Sequence, residues 1–501
     1  MIAHRSVRVA FKPAGSVWVA APPVGVVRAS LPVPARGGSL LAGAPLLAGA
    51  LLAGLVLAAC TPAADETRQV AASEPAVAQA LAFADSVLAA AVAEEVLPGA
   101  VLLVARDGAV LHERAYGYAG LFEGDRRLVS PEPMTVGHVF DLASVTKVMA
   151  TTWAMMLLVD RGLVELDNPV HTYLPDFRGP EKDRITVRDL LTHRSGLYRW
   201  KPVYYHAGSQ AEAYSYIRDL PLESGVGEWR RYSDLGFMLA GYIVETVGGR
   251  CLDVFLNEEL YGPLGLTHTG FVPGRRGNGW PGPAVSGEEA RRQIPAEALV
   301  GILGSRRGRL AGPFVATSHG NPYEKRMVED DSFGYLCDED PTTFTGWRSY
   351  NLQGEVNDGN AWHAHRGVAG HAGLFSTGSD LGVLLGILLE DGTHDGRPVV
   401  SAGVVREFLA PDILTGNGVG WAMSRMGLGG GAGEGTRGVQ VFSHSGFTGT
   451  YLMGVPELGL AVVFLSNRQN VGLDGAGYYP DAARIYLPLV QRIVEAVAEG
   501  R

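Results

Sequence analysis

The alternation of apolar and polar positions predicts β-strands near both ends of the chain and helices between them. The predicted strands lie at residues 100–105, 109–117, 439–443, 450–455 and 460–466. Asp107-Gly108 separates the first two apolar runs, and Asp-Gly in that setting is a strong hairpin signal. We therefore expect an α/β (α+β) fold with an antiparallel sheet of N- and C-terminal strands. Helices flank this sheet, and a mostly helical lobe is inserted at about residues 162–376.

Apolar positions with helical spacing predict the helices. They lie at residues 77–96, 148–159, 185–193, 234–247, 380–390 and 481–497. Thr186 is the predicted N-cap of the short third helix, with Asp189 at its third helical position. Residues 271–365 are the least periodic part of the chain. Because a structureless loop of that length is uncommon in a compact domain, we expect short helices within this irregular insertion.

An apolar run near the N-terminus indicates export. Residues 40–59 are almost wholly apolar, follow two arginines and end in Leu57-Ala58-Ala59-Cys60, which is the order of parts in a secretory signal. This ending resembles the lipobox of bacterial lipoproteins. The resemblance implies a signal peptide at residues 1–59, a lipidated Cys60 and a flexible linker at residues 60–76. Residues 1–27 fit no signal pattern, as expected if the start codon is placed too far upstream.

The same run leaves a second interpretation open, because about twenty apolar residues also suffice for a retained transmembrane anchor. Under either interpretation we expect the domain at residues 77–501 to lie outside the cytoplasm. With the lipid anchor, the protein is held on the extracytoplasmic or periplasmic face of the cell envelope.

Charge and cysteine content narrow the possible partners. The chain carries 42 basic and 52 acidic side chains, and its first 60 residues hold five of the basic ones and none of the acidic ones. The remaining body is therefore acidic, which argues against a nucleic acid partner. Apart from Cys60, the cysteines are Cys251 and Cys337. Two cysteines make no disulfide framework, so both a single disulfide and two thiols stay open.

A Ser-x-x-Lys pair, Ser144 and Lys147, stands directly before the apolar run at residues 148–159. On a helix, positions i and i+3 share a face, so the lysine amine would lie beside the serine hydroxyl. Serine needs an adjacent base to act as a nucleophile, and a buried lysine with a lowered pKa is such a base. The alternative is an N-cap serine followed by a surface lysine.

Two further segments carry candidate chemistry. Tyr232-Ser233-Asp234 precedes a predicted helix, where a nearby lysine would favour the phenolate and let Tyr232 act as a base. The alternative is a packed aromatic side chain. His444-Ser445-Gly446-Phe447 lies at a strand edge with a glycine that admits close backbone approach. A backbone N–H there, with that of Ser144, is suited to stabilise an oxyanion, and the alternative is an ordinary turn.

The order of these three motifs resembles that of the penicillin-recognising serine hydrolases, which include class C β-lactamases, DD-peptidases and related esterases. The similarity extends over about residues 90–490. Its phrases lie at residues 140–147 (Phe-Asp-Leu-Ala-Ser-Val-Thr-Lys), 189–197 (Asp-Leu-Leu-Thr-His-Arg-Ser-Gly-Leu), 370–377 (Gly-His-Ala-Gly-Leu-Phe-Ser-Thr) and 444–449 (His-Ser-Gly-Phe-Thr-Gly).

The resemblance implies a role for each matching residue. Ser144 would be the acylated nucleophile, Lys147 its proton partner, and Tyr232 the base that later protonates the leaving group. His444 would stand beside a substrate carboxylate, and the N–H groups of Ser144 and Phe447 would form the oxyanion hole. The same resemblance implies that no metal or organic cofactor is required.

Two positions depart from the family pattern. Asp234 stands where an asparagine is usual, and an ionised carboxylate accepts hydrogen bonds without donating any, so an ion pair with Lys147 is expected instead. His444 replaces a lysine, which would make carboxylate binding pH-dependent near neutrality. We therefore expect weak or absent β-lactam turnover.

Other histidines offer alternative chemistry. His363, His365 and His371 include a His-x-His pattern that could bind zinc, but no carboxylate nearby has metal-like spacing, and His371 falls in a phrase with a structural interpretation. His193 is expected to be a hydrogen-bonded turn residue. The sequence has no Gly-x-Ser-x-Gly elbow and no phosphate-binding loop.

These features predict a serine hydrolase of the cell envelope that forms an acyl-enzyme on Ser144. Its substrate would be an ester or amide, with D-Ala-type peptidoglycan peptides favoured. One alternative is a catalytically idle relative that binds peptidoglycan or a partner protein, and another is a class C-like β-lactamase. The joint presence of Ser144, Lys147 and Tyr232 argues against the idle relative, because a binding module needs no such set.

Overall fold

A six-stranded antiparallel sheet forms the centre of the structure, a computed structural model in which residues 74–273, 310, 312–428 and 438–500 are described. The strands are β1 (Gly99–Arg106), β2 (Ala109–Gly117), β3 (Phe122–Glu123), β4 (Arg126–Arg127), β5 (Phe140–Asp141), β6 (Gly270–Phe271), β7 (Ala316–His319), β8 (Asn351–Gln353), β9 (Leu374–Ser376), β10 (Thr393–His394), β11 (Arg397–Pro398), β12 (Ala422–Gly427), β13 (Gly438–Gly446), β14 (Thr450–Val455) and β15 (Leu460–Ser466). The order across the central sheet is β12-β13-β14-β15-β1-β2. The predicted union of N- and C-terminal strands is confirmed, since β1 pairs with β15 and Val104 lies opposite Val462.

The sequence pattern missed the edge strand β12. This strand pairs with β13 alone, and its residues are partly or fully exposed. An edge strand with little buried surface needs no run of apolar side chains. Its sequence, Ala-Met-Ser-Arg-Met-Gly, therefore shows neither an apolar run nor a clear alternation.

Helices cover both faces of the sheet. They are α1 (Pro75–Ala93), α2 (Trp153–Asp160), α3 (Val187–Leu191), α4 (Gln210–Asp219), α5 (Asp234–Gly248), α6 (Leu252–Leu256), α7 (Pro322–Glu329), α8 (Gly378–Leu389), α9 (Ala402–Leu409) and α10 (Ala483–Glu499). Leu102 and Val104 of β1 face a core shared with α1 and α10, whereas Val101 and Leu103 face a core shared with α2, α5 and α8. Because both faces are buried, β1 is apolar at successive positions instead of alternating.

Helix α1 is long and apolar enough to cross a membrane, with a mean hydropathy of 1.7. Its buried side chains, among them Leu81, Ala84 and Leu88, pack in the core formed with α10 and the sheet. One face of α1 therefore packs on the core of the folded domain.

The segment between β2 and β12 contains the predicted helical lobe. Thr186 caps α3 by a reciprocal pair of hydrogen bonds with Asp189, and α5 ends at Gly249 in the left-handed conformation, as the sequence predicted. The irregular insertion contains α7 and helical turns at Asp331–Phe333 and Asn360–Ala364, which confirms the expectation of short helices there. Residues 274–309 of the insertion, and the predicted signal peptide, Cys60 and linker up to residue 73, lie outside the described residues.

A small three-stranded sheet, in the order β5-β9-β6, supports the turn that carries the Ser-x-x-Lys pair. Phe140 lies opposite Ser376 in this sheet, and the N–H of Leu142 donates to the carbonyl of Leu374 over 3.0 Å. The phrase at residues 370–377 is therefore held against the phrase at residues 140–147.

Candidate active site

The Ser-x-x-Lys segment is not one regular helix. Ser144 lies on a 3₁₀ turn, Ala143–Val145, which is followed by a π-helical segment, Lys147–Thr152, and only then by α2. The predicted single helix at residues 148–159 is wrong in this detail, because π-helical turns are not distinguished from α-helix by apolar spacing. Ala143 has a φ of +45°, which is costly for a residue with a Cβ atom and is common at functional sites.

Asp141 stabilises this strained turn. Its Oδ1 atom accepts the N–H of Ala143 at 2.9 Å, and its Oδ2 atom accepts the N–H of Asn357 at 2.6 Å. Burial raises the pKa of Asp141 to about 6, although these two hydrogen bonds act in the opposite direction. The contact with Asn357 also connects the irregular insertion directly to the serine turn.

Lys147 is the centre of the site. Its side chain is fully buried, and its Nζ atom lies 2.7 Å from Asp234 Oδ1, 3.0 Å from Ser144 Oγ and 3.1 Å from the carbonyl oxygen of His371. Burial lowers the pKa of Lys147, but the charge of Asp234 and the interaction with Tyr232 outweigh burial and raise it overall. The expected ion pair with Asp234 is confirmed. The expectation of a lysine with a lowered pKa is wrong, because the carboxylate stabilises the ammonium.

Tyr232 lies over this lysine, with Lys147 Nζ 4.8 Å from the centre of its ring. Burial raises the pKa of the Tyr232 phenol, and the opposing effects of the Lys147 ammonium and of hydrogen bonds with Lys147 and Ser144 are smaller. The expected phenolate is therefore not the resting form. The structure confirms only that the tyrosine, the lysine and the serine are neighbours.

His193 anchors the segment that carries Tyr232. Its Nδ1 atom accepts the N–H of Ser233 at 3.1 Å, its carbonyl accepts the N–H of Arg231 at 2.8 Å, and its ring lies 4.4 Å from that of Tyr232. Burial lowers the pKa of His193 well below its usual range, so the imidazole is neutral and Nδ1 remains an acceptor. The expected hydrogen-bonded turn residue is confirmed, with a φ of +62°.

The end of β13 is fitted against the serine turn. Thr448 Oγ1 donates to the carbonyl of Asp141 at 2.7 Å, and Thr450 Oγ1 donates to that of Leu142 at 3.1 Å. A Cβ atom at Gly446 would collide with Thr450 Oγ1 and with the Leu142 carbonyl. Glycine is therefore required at this position for the close approach that the sequence predicted.

The backbone at Phe447 is fixed on both sides. Its carbonyl accepts hydrogen bonds from Arg468 Nη2 at 2.7 Å and from Gln469 Nε2 at 3.1 Å. The carbonyl of Gly446 accepts the N–H of Gly449 at 3.0 Å. The Gly446 carbonyl and the Phe447 N–H belong to one planar trans peptide, so they point in opposite directions. The carbonyl points into the turn at residues 446–449, and the Phe447 N–H therefore points out of that turn.

His444 is buried near Lys147 and Tyr232 and is neutral. Burial lowers its pKa to about 3, with smaller contributions from the charges of Lys147 and Arg230. Its Nδ1 atom lies 2.8 Å from the Ser445 carbonyl oxygen, which only accepts, so Nδ1 carries the proton. The expectation that His444 titrates near neutrality is wrong, because a buried imidazole among cations does not accept a second proton at that pH.

The remaining histidines have structural contacts. His371 Nε2 lies 2.9 Å from Asp358 Oδ1, and His365 lies 2.7 Å from the Tyr242 hydroxyl and 2.8 Å from the Asn360 carbonyl. In the described residues, no group of three or more histidine, cysteine, aspartate or glutamate side chains is arranged to hold a metal ion. No disulfide joins Cys251 to Cys337.

Sequence reasoning did not assign roles to several residues that shape the site. Asp141, Thr448 and Thr450 lie within or beside the phrases at residues 140–147 and 444–449, and this position was the sequence signal that could have identified them. The sequence gives no such signal for Asp358, because it lies in the irregular insertion. Although burial opposes ionisation of Asp358, the charge and hydrogen bond of His371 lower its pKa to about 2. Its carboxylate therefore remains ionised beneath the site.

Comparisons with known proteins identify the family of the chain. The family model described as Beta-lactamase matches residues 84–484. The chain is 32% identical over 393 residues to an N-acetylmuramyl-L-alanine amidase of Bacillus subtilis (strain 168), covering 74% of this chain and 78% of that protein. It is 31% identical over 392 residues to a putative D-alanyl-D-alanine carboxypeptidase of Escherichia coli O157:H7, covering 74% of this chain and 79% of that protein.

A solved structure shares the fold. The penicillin-binding protein homologue from Caulobacter crescentus superposes with a TM-score of 0.53 at 20% identity, over 84% of this chain and 98% of that one. The resemblance expected from the motifs and the predicted β-lactamase/transpeptidase-like fold are both confirmed. The chain belongs to the Beta-lactamase family, and it is a serine hydrolase.

Proposed function

We propose that Ser144 is the nucleophile of a cell-envelope hydrolase whose substrates are peptidoglycan peptides ending in D-Ala, or related esters. The observation that carries this proposal is the contact of 3.0 Å between Lys147 Nζ and Ser144 Oγ, made by a fully buried lysine. Burying an ammonium costs several kcal/mol unless it is paired. Asp234 and the His371 carbonyl supply that pairing, so the site is built to hold this cation against the serine.

Acylation then requires one proton to leave the Lys147–Tyr232 pair. If Tyr232 loses the proton, a phenolate lies beside the Lys147 ammonium. If Lys147 loses it, a neutral amine lies beside the serine. Because the two groups interact, the pair titrates as a unit. This base takes the Ser144 proton as Oγ bonds to the substrate acyl carbon, and the proton then passes from Tyr232 to the leaving group as the bond to that group breaks. Water repeats these steps on the acyl-enzyme, releases the acid and restores Ser144.

The oxyanion that forms on the acyl oxygen needs two donors. We assign the N–H groups of Ser144 and Phe447 to this role. Support comes from the fixed peptide between Gly446 and Phe447 and from the two hydroxyl contacts of Thr448 and Thr450 that hold the turn between β13 and β14 against the serine turn. One such donor typically contributes about 3 kcal/mol to transition-state stabilisation.

The proposed substrate class rests on the relatives. Two proteins at 31–32% identity are named for amide bonds to alanine, one an amidase and the other a putative carboxypeptidase. Asp234 cannot donate to a substrate amide while it is ionised. We therefore propose weak or absent turnover of β-lactams, and rapid cephalosporin hydrolysis by the purified protein would contradict this part.

We also propose that the protein is exported and held in the envelope by a lipid on Cys60. The support is the Leu57-Ala58-Ala59-Cys60 ending of the apolar run and the names of the relatives, which refer to peptidoglycan. Expression in a bacterial host with labelled palmitate tests it, because Cys60→Ser should abolish labelling and move the protein out of the membrane fraction. Retention of Cys60→Ser in that fraction would favour the transmembrane anchor.

Intact-mass measurement tests the nucleophile. The purified protein is incubated with a fluorophosphonate or with a penicillin, and we expect an adduct that Ser144→Ala abolishes and that the exposed-serine control Ser86→Ala leaves unchanged. Peptides ending in D-Ala-D-Ala then test the substrate class by release of free D-Ala. Folded protein that forms no adduct with either reagent would overturn the assignment of Ser144.

A further inference from the structure

The cations around Ser144 are almost all neutralised by the protein itself. Lys147 is paired with Asp234, and Arg231 is paired with Glu223. Arg468 is held by the carbonyls of Phe447 and Pro480. Burial lowers the pKa values of His193 and His444, so these two imidazoles are neutral. The groups that line the site therefore offer little positive charge for an anionic substrate.

Arg230 is an exception. The residue is partly exposed, burial of its guanidinium lowers its pKa, and no ion pair among the described residues involves it. Arg199, whose carbonyl accepts the N–H of Asp234, differs because its guanidinium lies over the ring of Tyr335, 5.8 Å from the ring centre. Arg230 is thus a cation that no carboxylate of the described residues neutralises.

The backbone places Arg230 on the side of the catalytic tyrosine. The N–H groups of Arg231 and Ser233 both donate to His193, one to its carbonyl and the other to its Nδ1 atom. Alternate N–H groups that point the same way are typical of extended chain, in which side chains two apart also share a face. Arg230 therefore lies on the face of Tyr232, whereas Arg231 lies on the opposite face with Glu223. The effect of the Arg230 charge on His193 and His444, whose pKa values it helps to lower, agrees with this placement.

We propose that Arg230 binds a carboxylate on the leaving-group side of the scissile bond, so that the enzyme selects substrates whose leaving group is anionic. This inference rests on the proposed function, in which Tyr232 donates a proton to the leaving group. A carboxylate attached next to the leaving-group atom that Tyr232 protonates comes within reach of Arg230, the next side chain on the same face. A planar guanidinium matches a carboxylate through two parallel N–H···O bonds, which favours this ligand over a neutral amide.

The test uses two matched substrate pairs. The first is an Nα-acylated peptide ending in D-Ala-D-Ala and its C-terminal amide, and the second is the acetyl ester of 4-hydroxybenzoate and that of 4-hydroxybenzamide. We expect kcat/KM to be about 10- to 100-fold higher for the acid of whichever pair is turned over, chiefly through KM. Arg230→Gln should remove this preference by lowering kcat/KM for the acid much more than for the amide or the amide-bearing ester. Arg230→Lys should restore part of it, and the control Arg231→Gln should keep it.

The outcomes separate this inference from the proposed function. An equal loss of kcat/KM for both members of a pair in Arg230→Gln would assign a structural role to Arg230 and overturn the inference. Equal hydrolysis of both members by the wild-type enzyme would also overturn it. An adduct with fluorophosphonate together with no acid preference would overturn the inference alone. Folded protein that forms an adduct with neither fluorophosphonate nor penicillin would overturn the proposed function.

Discussion

Asp234 Oδ1 lies 2.7 Å from Lys147 Nζ, inside a site where the lysine side chain is fully buried. A buried lysine without a partner loses its proton readily, but a carboxylate at this distance stabilises the ammonium. In the resting site Lys147 is therefore charged and Tyr232 is neutral, and neither is a base. In the proposed mechanism, the ion pair thus sets the pH at which the Lys147–Tyr232 pair loses the proton that acylation requires.

Asp234→Asn should make the site reactive at lower pH. Removing the negative charge leaves burial as the main influence on Lys147, so the pKa at which the pair loses a proton falls. We expect the acidic limb of the pH profile for fluorophosphonate labelling to move down by about one to two pH units. The measurement is the labelling rate between pH 5 and 10, followed by intact mass.

The control for this shift is Asp167→Asn, which changes an exposed carboxylate that pairs with Arg188, a residue outside the three motifs. Its profile should coincide with that of the wild type. An unchanged acidic limb in Asp234→Asn would mean that the ion pair does not govern the ionisation step.

Tyr232→Phe should abolish most of the activity while leaving the fold intact. The substitution keeps the ring that packs against His193 and removes only the hydroxyl that we assign to proton transfer. General acid–base groups typically contribute about 100- to 10,000-fold, so we expect a loss of that size in both labelling rate and turnover. Tyr205→Phe, in an aromatic cluster with Tyr204 and Phe344, should retain normal rates. Similar rates for the two variants would remove Tyr232 from the mechanism.

The sequence was sufficient to predict the sheet and the three motifs because their signals are local. Val104 and its neighbours form apolar runs, Asp107-Gly108 marks the hairpin, and Thr186 with Asp189 forms a cap that involves only neighbouring residues. The short strand β12 was missed because an exposed edge strand leaves little pattern.

The charge states were not predictable in the same way. They depend on distances between segments far apart in the chain: Asp141 reaches Asn357 across 216 residues, and Lys147 reaches the His371 carbonyl across 224. A pKa is the balance of burial against such contacts. For Lys147, burial lowers the pKa and the charge of Asp234 raises it. For His444, burial and the neighbouring cations both lower the pKa. A motif does not specify these neighbouring charges, so it does not predict the pKa.

Gly446→Ala should separate the β13 edge from the serine turn. The added methyl group would meet Thr450 Oγ1 and the Leu142 carbonyl, so the strand must move away from Ser144. We expect a lower free energy of unfolding, by about 1–3 kcal/mol, and a strong loss of fluorophosphonate labelling, since Phe447 moves with the strand. Urea unfolding and labelling rates measure the two effects.

A matched control for the glycine variant is Gly427→Ala. Gly427 also lies at a strand end, in β12, but a Cβ atom there has no neighbour within 4 Å. It should keep both stability and labelling. Full labelling of Gly446→Ala would contradict the role of this close approach in the site.

His444→Gln should protect the fold against acid. The His444 pKa is about 3 in the folded protein, against the usual 6.5. As the pH falls below 6.5, the unfolded chain binds a proton that the folded protein does not, so stability is lost progressively until about pH 3. Glutamine does not titrate, so between pH 7.5 and 4.5 the wild type should lose about 2–3 kcal/mol of unfolding free energy relative to the variant. Urea unfolding at both pH values measures this difference, and an equal offset at the two pH values would mean that the buried imidazole is protonated as readily in the folded protein as in the unfolded chain.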